Sequence, residues 1–150
     1  MEGTNLTPGL EFRPATTELE LRAVYPVMAA LRPQYSLDEF VRLAQDQLIP
    51  SGARVIAGYH EGAVVCAGVF KIGHSLAWGK HLYIDDLVTA EESRSLGCGS
   101  ALLRHIAAIG KAEGCGELHL DSGVQRHEAH RFYLRERMDI VFYHFRSQLA

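Results

Sequence analysis

The sequence predicts a mixed α/β (α+β) domain in which helices flank a central, mainly antiparallel sheet. Two observations predict this fold class. Segments with apolar side chains at helical spacing alternate with strand-like runs, and a hairpin series comes before a strand, helix, strand order. A chain of 150 residues suits one hydrophobic core. We therefore expect a single domain over residues 1–150.

The first half of the chain predicts a strand, two helices and a hairpin. The predicted elements are a strand at 10–13, helices opened by Thr17 and Ser36, and strands at 54–60 and 63–72. Each helix start is a capping box, in which a Ser or Thr is followed three residues later by Glu. Pro26 lies inside the first helix, where its missing N–H predicts a kink or an interruption. Glu61-Gly62 is a two-residue connection typical of a hairpin.

The second half predicts the central strand, two helices and two further strands. After a polar segment at 73–80 come a strand at 81–89, a helix beginning near Ser100 and capped by Gly114, a strand at 117–122, a helix at 126–137 and a strand at 140–146. The last of these is rich in aromatic and β-branched residues, which favour strands.

Composition excludes several classes of partner. The formal charge is −3 without a basic stripe, which argues against nucleic-acid binding. The apolar runs are far shorter than a membrane span, so we expect no membrane partner. The three cysteines form no CxxC pair, and no basic segment followed by an apolar run opens the chain. These features predict a cytoplasmic protein and leave a homodimer open.

The most informative segment is the glycine turn after the central strand, LGCGS at 96–100. Gly97 and Gly99 let the backbone turn tightly and present consecutive N–H groups at a helix N-terminus, where a pyrophosphate would be held. The dinucleotide fingerprint needs a third glycine, where Leu102 stands, and the chain has no Gly-Lys-Ser/Thr phosphate loop. The turn alone is also compatible with a plain connection from strand to helix.

Two motifs in this part of the chain resemble those of the Gcn5-related N-acetyltransferase (GNAT) family. The pattern R-x-x-G-x-G at 94–99 is similar to the family's acetyl-coenzyme A (acetyl-CoA) signature. The run AHRFY at 129–133 is similar to its Ala-x-x-Phe-Tyr helix, and one predicted strand lies between the two motifs. The resemblance is strongest over residues 83–143. It implies the GNAT fold, acetyl-CoA as co-substrate and transfer of an acetyl group to an amine.

The resemblance also implies which residues bind the cofactor. They are the strand residues Leu87, Val88 and Thr89, whose backbone would pair with the pantetheine arm, the turn residues Arg94, Ser95, Leu96, Gly97, Cys98, Gly99 and Ser100, and the helix residues Arg126 and Tyr133. Arg126 stands where the family often has Asn, and it could bring charge to a phosphate. Arg137 stands where the family commonly has Gly, which suggests a different helix end.

Acetyl transfer needs a group that takes the proton of the amine, because an amine with a pKa of about 10.4 is almost wholly protonated at pH 7. Asp85 and Asp86 are the candidates. Strand alternation predicts that they point to opposite faces, with Asp85 on the face of Tyr83 and Leu87. Asp85 matches the position at which polyamine-type family members carry a basic glutamate, so we expect it to act as the base, through a water. Both carboxylates are also compatible with structural roles.

Tyr133 is the candidate acid, because in the family the hydroxyl of the Phe-Tyr pair points at the cofactor sulfur. Its helical spacing from Ala129 is also compatible with a core aromatic. Cys98 lies at a helix N-terminus that would stabilise a thiolate, so a covalent acyl-enzyme is a further alternative. The family usually transfers the acyl group directly in a ternary complex, which favours a backbone role for Cys98.

The acceptor amine is the part of the reaction that the sequence describes least. In the family, substrate walls come from the loop between the first two helices, which here holds Gln34 and Tyr35, and from the segment at 74–80. Asp85 would lie beside the acceptor. Two adjacent carboxylates in a mildly acidic chain predict a cationic primary amine.

Two functional interpretations follow. The first is an N-acetyltransferase that uses direct attack of a primary amine, and the alternative is a coenzyme A binding module of the same fold without turnover. A purely structural interaction protein is a third possibility. We expect no metal, because His127 and His130 are three residues apart rather than the four of a zinc-binding helix.

Overall fold

The computed structural model describes residues 8–150, except for the side chain of Ser95. Within that range the strands are β1 (Glu11–Pro14), β2 (Arg54–His60), β3 (Ala63–Ser75), β4 (Gly79–Thr89) and β5 (Glu117–Leu120). The α-helices are α1 (Glu18–Leu31), α2 (Leu37–Leu43), α3 (Cys98–Ala112) and α4 (His127–Arg135), with a π turn over Ala44–Leu48 and a 3-10 helix over Glu91–Leu96. In this range no helix is long and apolar enough to cross a membrane.

The five strands form one sheet in the order β1-β2-β3-β4-β5, and neighbours from β1 to β4 are antiparallel. This confirms the predicted fold class. The β2–β3 hairpin turns at Glu61 and Gly62, whose φ angles of 51° and 80° suit a two-residue hairpin loop. The predicted polar segment at 73–80 is instead the tip of the β3–β4 hairpin, because residues 73–75 pair with residues 79–81.

Helices cover both faces of the sheet. On one face α1 and α2 pack on the strands, and the buried cluster there includes Leu21, Val24, Phe40, Val55 and Val69. On the other face α3 lies close to the strands: a Cβ atom at Gly68 would come within 3.0 Å of Ile106, and one at Gly110 within 3.0 Å of Leu82. Burying such side chains contributes about 1.5–3 kcal/mol each, so the two layers hold the sheet in place.

The local helix signals are present where the sequence predicts them. In both capping boxes the backbone N–H of the Glu donates to the hydroxyl of the N-cap residue at 3.2 Å. However, α1 continues through Pro26, so the predicted interruption is absent. Val24 and Met28 are buried on either side of the proline, and this packing holds both halves in one helix.

Contacts divide the chain into two units. The core unit comprises the described residues 8–119, and the C-terminal unit comprises residues 120–150. The C-terminal unit contains α4 but no buried residue. The predicted strand at 140–146 is wrong, because a strand needs a neighbour to pair its backbone and these residues join no ladder in the described chain. The expectation of one domain stays a prediction.

Candidate active site

The glycine turn shapes the start of α3, which begins at Cys98 rather than near Ser100. Gly97 precedes it with φ 77° and ψ 13°, a left-handed conformation that glycine adopts at little cost. The N–H of Ala101 donates to the carbonyl of Gly97 at 3.0 Å, so the N–H groups of residues 98–100 lie in the first turn and point toward the N-terminal end. No acidic side chain lies in that turn. This end of α3 therefore suits an anion.

The segment before the turn is a 3-10 helix, not an open loop. Ser93 is buried, and its N–H donates to the carbonyl of Ala90 at 2.9 Å, which anchors the segment. Arg94 and Leu96 are exposed, and the backbone of Ser95 lies between them. A guanidinium thus stands three residues ahead of the glycine that caps α3.

The side chain of Cys98 points into the core. Cys98 is fully buried, and it lies near Cys66, whose pKa is raised to about 12 by burial and by the neighbouring Cys98. A buried thiol is inert rather than nucleophilic. This favours the backbone role of Cys98 over the acyl-enzyme alternative.

β4 carries a bulge at Asp85. Ile84 pairs with Phe70 and Asp86 pairs with Val69, so Asp85 has no residue opposite it on β3. A bulge bends the strand and re-aims side chains, and bulges are frequent beside active sites.

The bulge makes the prediction of opposite faces for the two carboxylates wrong, because the extra residue shifts the alternation by one. Leu82, before the bulge, lies against α3, whereas Val88, after it, belongs to the cluster under α1 and α2. Asp85, an odd-numbered residue, lies on the face opposite to that of Leu82 and the other even-numbered residues before the bulge. Asp86 lies on the same face as Val88, after the bulge. Both carboxylates therefore lie on the face of α1 and α2. Leu87, predicted to share that face with Asp85, lies on the α3 side near Gly68.

Arg32, directly after α1, connects that helix to both aspartates. Its Nε donates to Oδ1 of Asp86 at 2.6 Å, and its Nη2 donates to the backbone carbonyl of Asp85 at 3.3 Å. The side chain of Asp86 is only 16% exposed. The carboxylate of Asp86 is thus paired with Arg32.

The surroundings of Asp85 raise the pKa of its carboxyl group. Desolvation by neighbouring atoms raises its pKa, Lys71 opposes this rise, Asp86 adds to it and Arg32 opposes it. The residue nevertheless remains solvent-exposed. A raised pKa brings a carboxylate closer to the range in which a general base works.

Sequence reasoning missed Arg32 and Lys71. Lys71 pairs with Tyr83 across the β3–β4 ladder, and opposite residues share a face, so its ammonium group lies on the side of Asp85. No motif marks either residue. Their position follows from strand register and from where α1 ends. The two cations offset the two carboxylates, which weakens the argument for a cationic acceptor.

The predicted acceptor loop between α1 and α2 is tied to α1. The hydroxyl of Tyr25 donates to the backbone carbonyl of Tyr35 at 2.7 Å, and Tyr35 packs against the core cluster. Gln34 is exposed. Tyr35 therefore shapes the loop, and Gln34 presents a polar side chain to solvent.

The far half of β4 has one strand neighbour. Residues 87–89 pair with β3 on one side. On the other side β5 is four residues long, and the N–H of Gly116, just before it, donates to the carbonyl of Lys80 at 2.9 Å. A strand of four residues that begins beside Lys80 is too short to reach Leu87. In the described part of the chain, this leaves the β5-facing edge of residues 87–89 without a strand.

In the C-terminal unit, α4 carries the Phe-Tyr pair. The rings of Phe132 and Tyr133 meet edge to face with centroids 5.3 Å apart. Burial raises the pKa of Tyr133. The positive charge of Arg126, the N-cap residue of α4, opposes this rise. The ordinary value is about 10, so the hydroxyl carries its proton at neutral pH.

The end of α4 differs from the expectation. Arg137 adopts φ 64°, the left-handed conformation in which helices commonly end and which favours glycine. The helix thus ends in the conformation typical of glycine, although the residue there is an arginine.

His127 and His130 of α4 lie near each other. The ring centroids of His127 and His130 are 6.0 Å apart, and Nε2 of His130 lies 2.7 Å from the carbonyl oxygen of Gly123. Among the residues that the structure describes, no three His, Cys, Asp or Glu side chains converge to hold a metal ion.

Comparison with known proteins decides the family. A family model described as the acetyltransferase (GNAT) family matches residues 18–138. The chain belongs to the GNAT acetyltransferase family. A relative from Bacillus subtilis (strain 168), named the uncharacterized N-acetyltransferase YhdJ, is 30% identical over 126 residues, which are 83% of this GNAT chain and 87% of the relative.

Solved structures share the GNAT fold. An acetyltransferase of Trypanosoma brucei superposes with a TM-score of 0.75 at 24% identity, over 93% of this chain and 99% of the other. A ribosomal-protein-alanine N-acetyltransferase from Brucella melitensis biovar Abortus 2308 superposes with a TM-score of 0.80 at 12% identity, over 94% and 99%. At these identities the likeness is one of fold.

Proposed function

We propose that this acetyltransferase moves the acetyl group of acetyl-CoA to a primary amine by direct attack in a ternary complex. The observation that carries the proposal is the bulged strand β4, with Asp85 at the bulge, leading into the glycine turn at the N-terminus of α3. In this proposal the two features supply a base and an anion site from one continuous segment of the core unit.

The residues of the turn fit the phosphates of the cofactor. Gly97 is left-handed, α3 starts directly after it, and its first turn carries no acidic side chain that would repel a pyrophosphate. Residues 94–100 would hold the phosphates, and the open edge of residues 87–89 would accept the amide-bearing arm. Arg126 would add a cation to the phosphates. When bound, acetyl-CoA supplies the activated thioester.

Asp85 takes the proton from the amine in this proposal. Its raised pKa and its exposure suit a base that works directly or through one water. Asp86 cannot share that role while Arg32 holds it at 2.6 Å. Arg32 instead keeps the bulge in place from the end of α1.

Tyr133 gives a proton to the departing thiolate. Support comes from its place in the Phe-Tyr pair of the family motif and from its raised pKa, which keeps the hydroxyl protonated at neutral pH. Cys98 forms no acyl-enzyme, because its side chain is fully buried. The amine therefore attacks the thioester directly.

The acceptor is a primary amine of a small molecule or an amino group, and it reaches Asp85 from the face of α1 and α2. Gln34 and Tyr35 line its approach. The acyl donor is acetyl-CoA, and the compartment is the cytoplasm.

Thermal unfolding with acetyl-CoA, followed by a thiol-release assay on a panel of amines, tests the proposal. Saturation at a hundredfold over Kd should add about 2.7 kcal/mol, or about 5–10 °C in Tm. Gly99→Trp should abolish the shift by filling the phosphate path. Gly73→Trp is the matched control, because nothing lies within 4 Å of a Cβ there.

Three results are informative. No Tm shift in the unmodified protein contradicts cofactor binding. A shift without thiol release on any amine supports the alternative, a coenzyme A binding module without turnover. Neutral or acidic acceptors that outperform cationic amines would refute the charge argument alone.

A further inference from the structure

Lys71 lies on the same face of the sheet as Asp85 and Asp86. It pairs with Tyr83 across the β3–β4 ladder, and Val69, two residues earlier on β3, belongs to the buried cluster under α1 and α2. Diagonal neighbours in an antiparallel ladder are about 7–8 Å apart, which puts Asp85 within reach of a lysine side chain. These placements involve only residues of the core unit.

Arg32 and Asp86 form an ion pair, whereas Lys71 and Asp85 do not. Nε of Arg32 donates to Oδ1 of Asp86 at 2.6 Å. Among the described residues of the core unit, neither the ammonium of Lys71 nor the carboxylate of Asp85 forms a hydrogen bond or an ion pair. Burial raises the pKa of Asp85, and the ammonium of Lys71 opposes this rise more strongly than Arg32 does. The ammonium therefore lies near Asp85 without bonding to it.

Along β4, Lys71 lies beyond Asp85 as seen from the proposed cofactor segment. Tyr83, the ladder partner of Lys71, comes four residues before Leu87, and at about 3.3 Å per residue this is about 13 Å along the strand. Asp85 lies between them. A ligand that contacts both Asp85 and Lys71 therefore extends away from residues 87–89, which is the place of the acceptor rather than of the cofactor.

A ligand that suits Asp85 and Lys71 together carries two opposite charges. Asp85 attracts an ammonium group, and Lys71 attracts an anion. A carboxylate matches the single charge of Lys71, whereas a phosphate carries a charge of about −1.5 to −2 at pH 7 and would leave excess negative charge beside Asp85 and Asp86. Hydrogen bonds between an ammonium and a carboxylate are also stronger than those between neutral groups. The charges of this face therefore favour a zwitterion.

We propose that Lys71 determines the specificity for the acceptor by binding a carboxylate of that acceptor. The acceptor is then an amino acid or a similar small molecule, with a primary amine at Asp85 and a carboxylate at Lys71. This inference rests on the function proposed above, because the role of Asp85 as the base places the amine. Polyamines should be poor acceptors, since a second ammonium would stand beside that of Lys71.

Acetyl transfer to matched pairs of acceptors tests the proposal. Glycine, β-alanine and 4-aminobutyrate are each compared with their own carboxamide, which lacks the anion. Lys71→Met should lower kcat/KM for the amino acids by about 10–100-fold relative to the carboxamides, the range expected for a hydrogen bond between charged groups. The loss should appear in KM rather than in kcat, because the bond is the same in the ground state and the transition state.

Two further variants are the controls. Nζ of Lys80 lies 3.9 Å from where a Cβ atom of Gly114 would stand, at the end of α3, so Lys80→Met should leave the ratio unchanged. Lys71→Arg keeps a cation and should retain the preference for amino acids. If Lys71 only tunes the pKa of Asp85, Lys71→Met changes both members of each pair alike, and the proposal is overturned. An unmodified protein that prefers 1,4-diaminobutane to the amino acids also overturns it.

Binding of a reaction product separates this proposal from the proposed function. Ligand-observed NMR compares N-acetylglycine with N-acetylglycinamide and needs no turnover. The unmodified protein and Lys80→Met should bind N-acetylglycine about 10–100-fold more tightly than the carboxamide, and Lys71→Met should bind the two alike. That result without thiol release on any amine contradicts only the proposed function. An unmodified protein that does not prefer N-acetylglycine overturns the role of Lys71, whatever its activity.

Discussion

The core unit and the C-terminal unit contain similar local sequence patterns but differ in the burial of their apolar side chains. Both contain a helix with a defined end, and both contain apolar runs. In the core unit these runs are covered, with Leu21 and Leu102 fully buried. In the C-terminal unit the corresponding side chains are exposed, and α4 buries none of its residues. The pattern of apolar residues therefore predicts that a surface needs cover and does not predict what covers it.

The difference separates stability from chemistry. The free energy of unfolding rests on the core unit, where side chains are buried on both faces of the sheet. The candidate acid, Tyr133, lies in the C-terminal unit, which contains no buried residue. Substitutions in the two units should therefore affect different measurements.

The largest expected effect is on catalysis by Tyr133→Phe. Removal of the hydroxyl should lower kcat by about 10²–10⁴, the usual range for a positioned acid. The ring still meets Phe132, so cofactor affinity and Tm should stay the same. Tyr143→Phe is the matched control, since that ring is 87% exposed and has no proposed role. An unchanged kcat, measured where chemistry limits the rate, would make Tyr133 a packing residue.

Leu21→Ala in α1 is expected to lower stability, whereas Tyr133→Phe is expected to lower kcat. Leu21 is fully buried, so the lost contacts and the cavity should cost about 2–5 kcal/mol of unfolding free energy. Leu19→Ala in the same helix should cost less than about 0.5 kcal/mol, because Leu19 is 80% exposed. Urea denaturation measures both. Equal losses of unfolding free energy for the two substitutions would refute the distinction between the buried and the exposed position of α1.

The smallest effect on stability, with a clear effect on activity, is expected from Asp85→Asn. A carboxylate whose pKa is raised in the folded state destabilises the fold once pH exceeds the unfolded value, so removing the charge should leave Tm unchanged or slightly higher at pH 7. If Asp85 is the base, kcat/KM should fall at pH 7 and recover in part at higher pH, where more of the amine is neutral. A loss independent of pH would assign Asp85 to binding or folding.

Much of the fold followed from local signals. The two capping boxes, the Glu61-Gly62 hairpin and the start of β2 are fixed by short-range chemistry that a sequence displays directly. The glycine turn was also predictable, because a glycine such as Gly97 adopts the left-handed conformation before a helix at little cost. The family motifs at 94–99 and 129–133 then predicted the family that the comparisons confirm.

The arrangement of the carboxylates depended on tertiary structure. Periodicity alone placed Asp85 and Asp86 on opposite faces, and the bulge in β4 put them on one face. A bulge arises from the pairing of two strands, so no single strand sequence reveals it. The ion pair of Arg32 with Asp86 joins residues 54 positions apart, and it too depends on where α1 ends over the sheet.

The sequence by itself determined the class of fold, the starts of α1 and α2, the glycine turn and the membership of an acetyltransferase family, because each depends on residues near one another along the chain. Only the tertiary structure decided which carboxylate pairs with Arg32, that the side chain of Cys98 is buried, and that residues 140–146 form no strand within the described range. These depend on strand register and on burial, and both are properties of segments that meet from distant parts of the sequence.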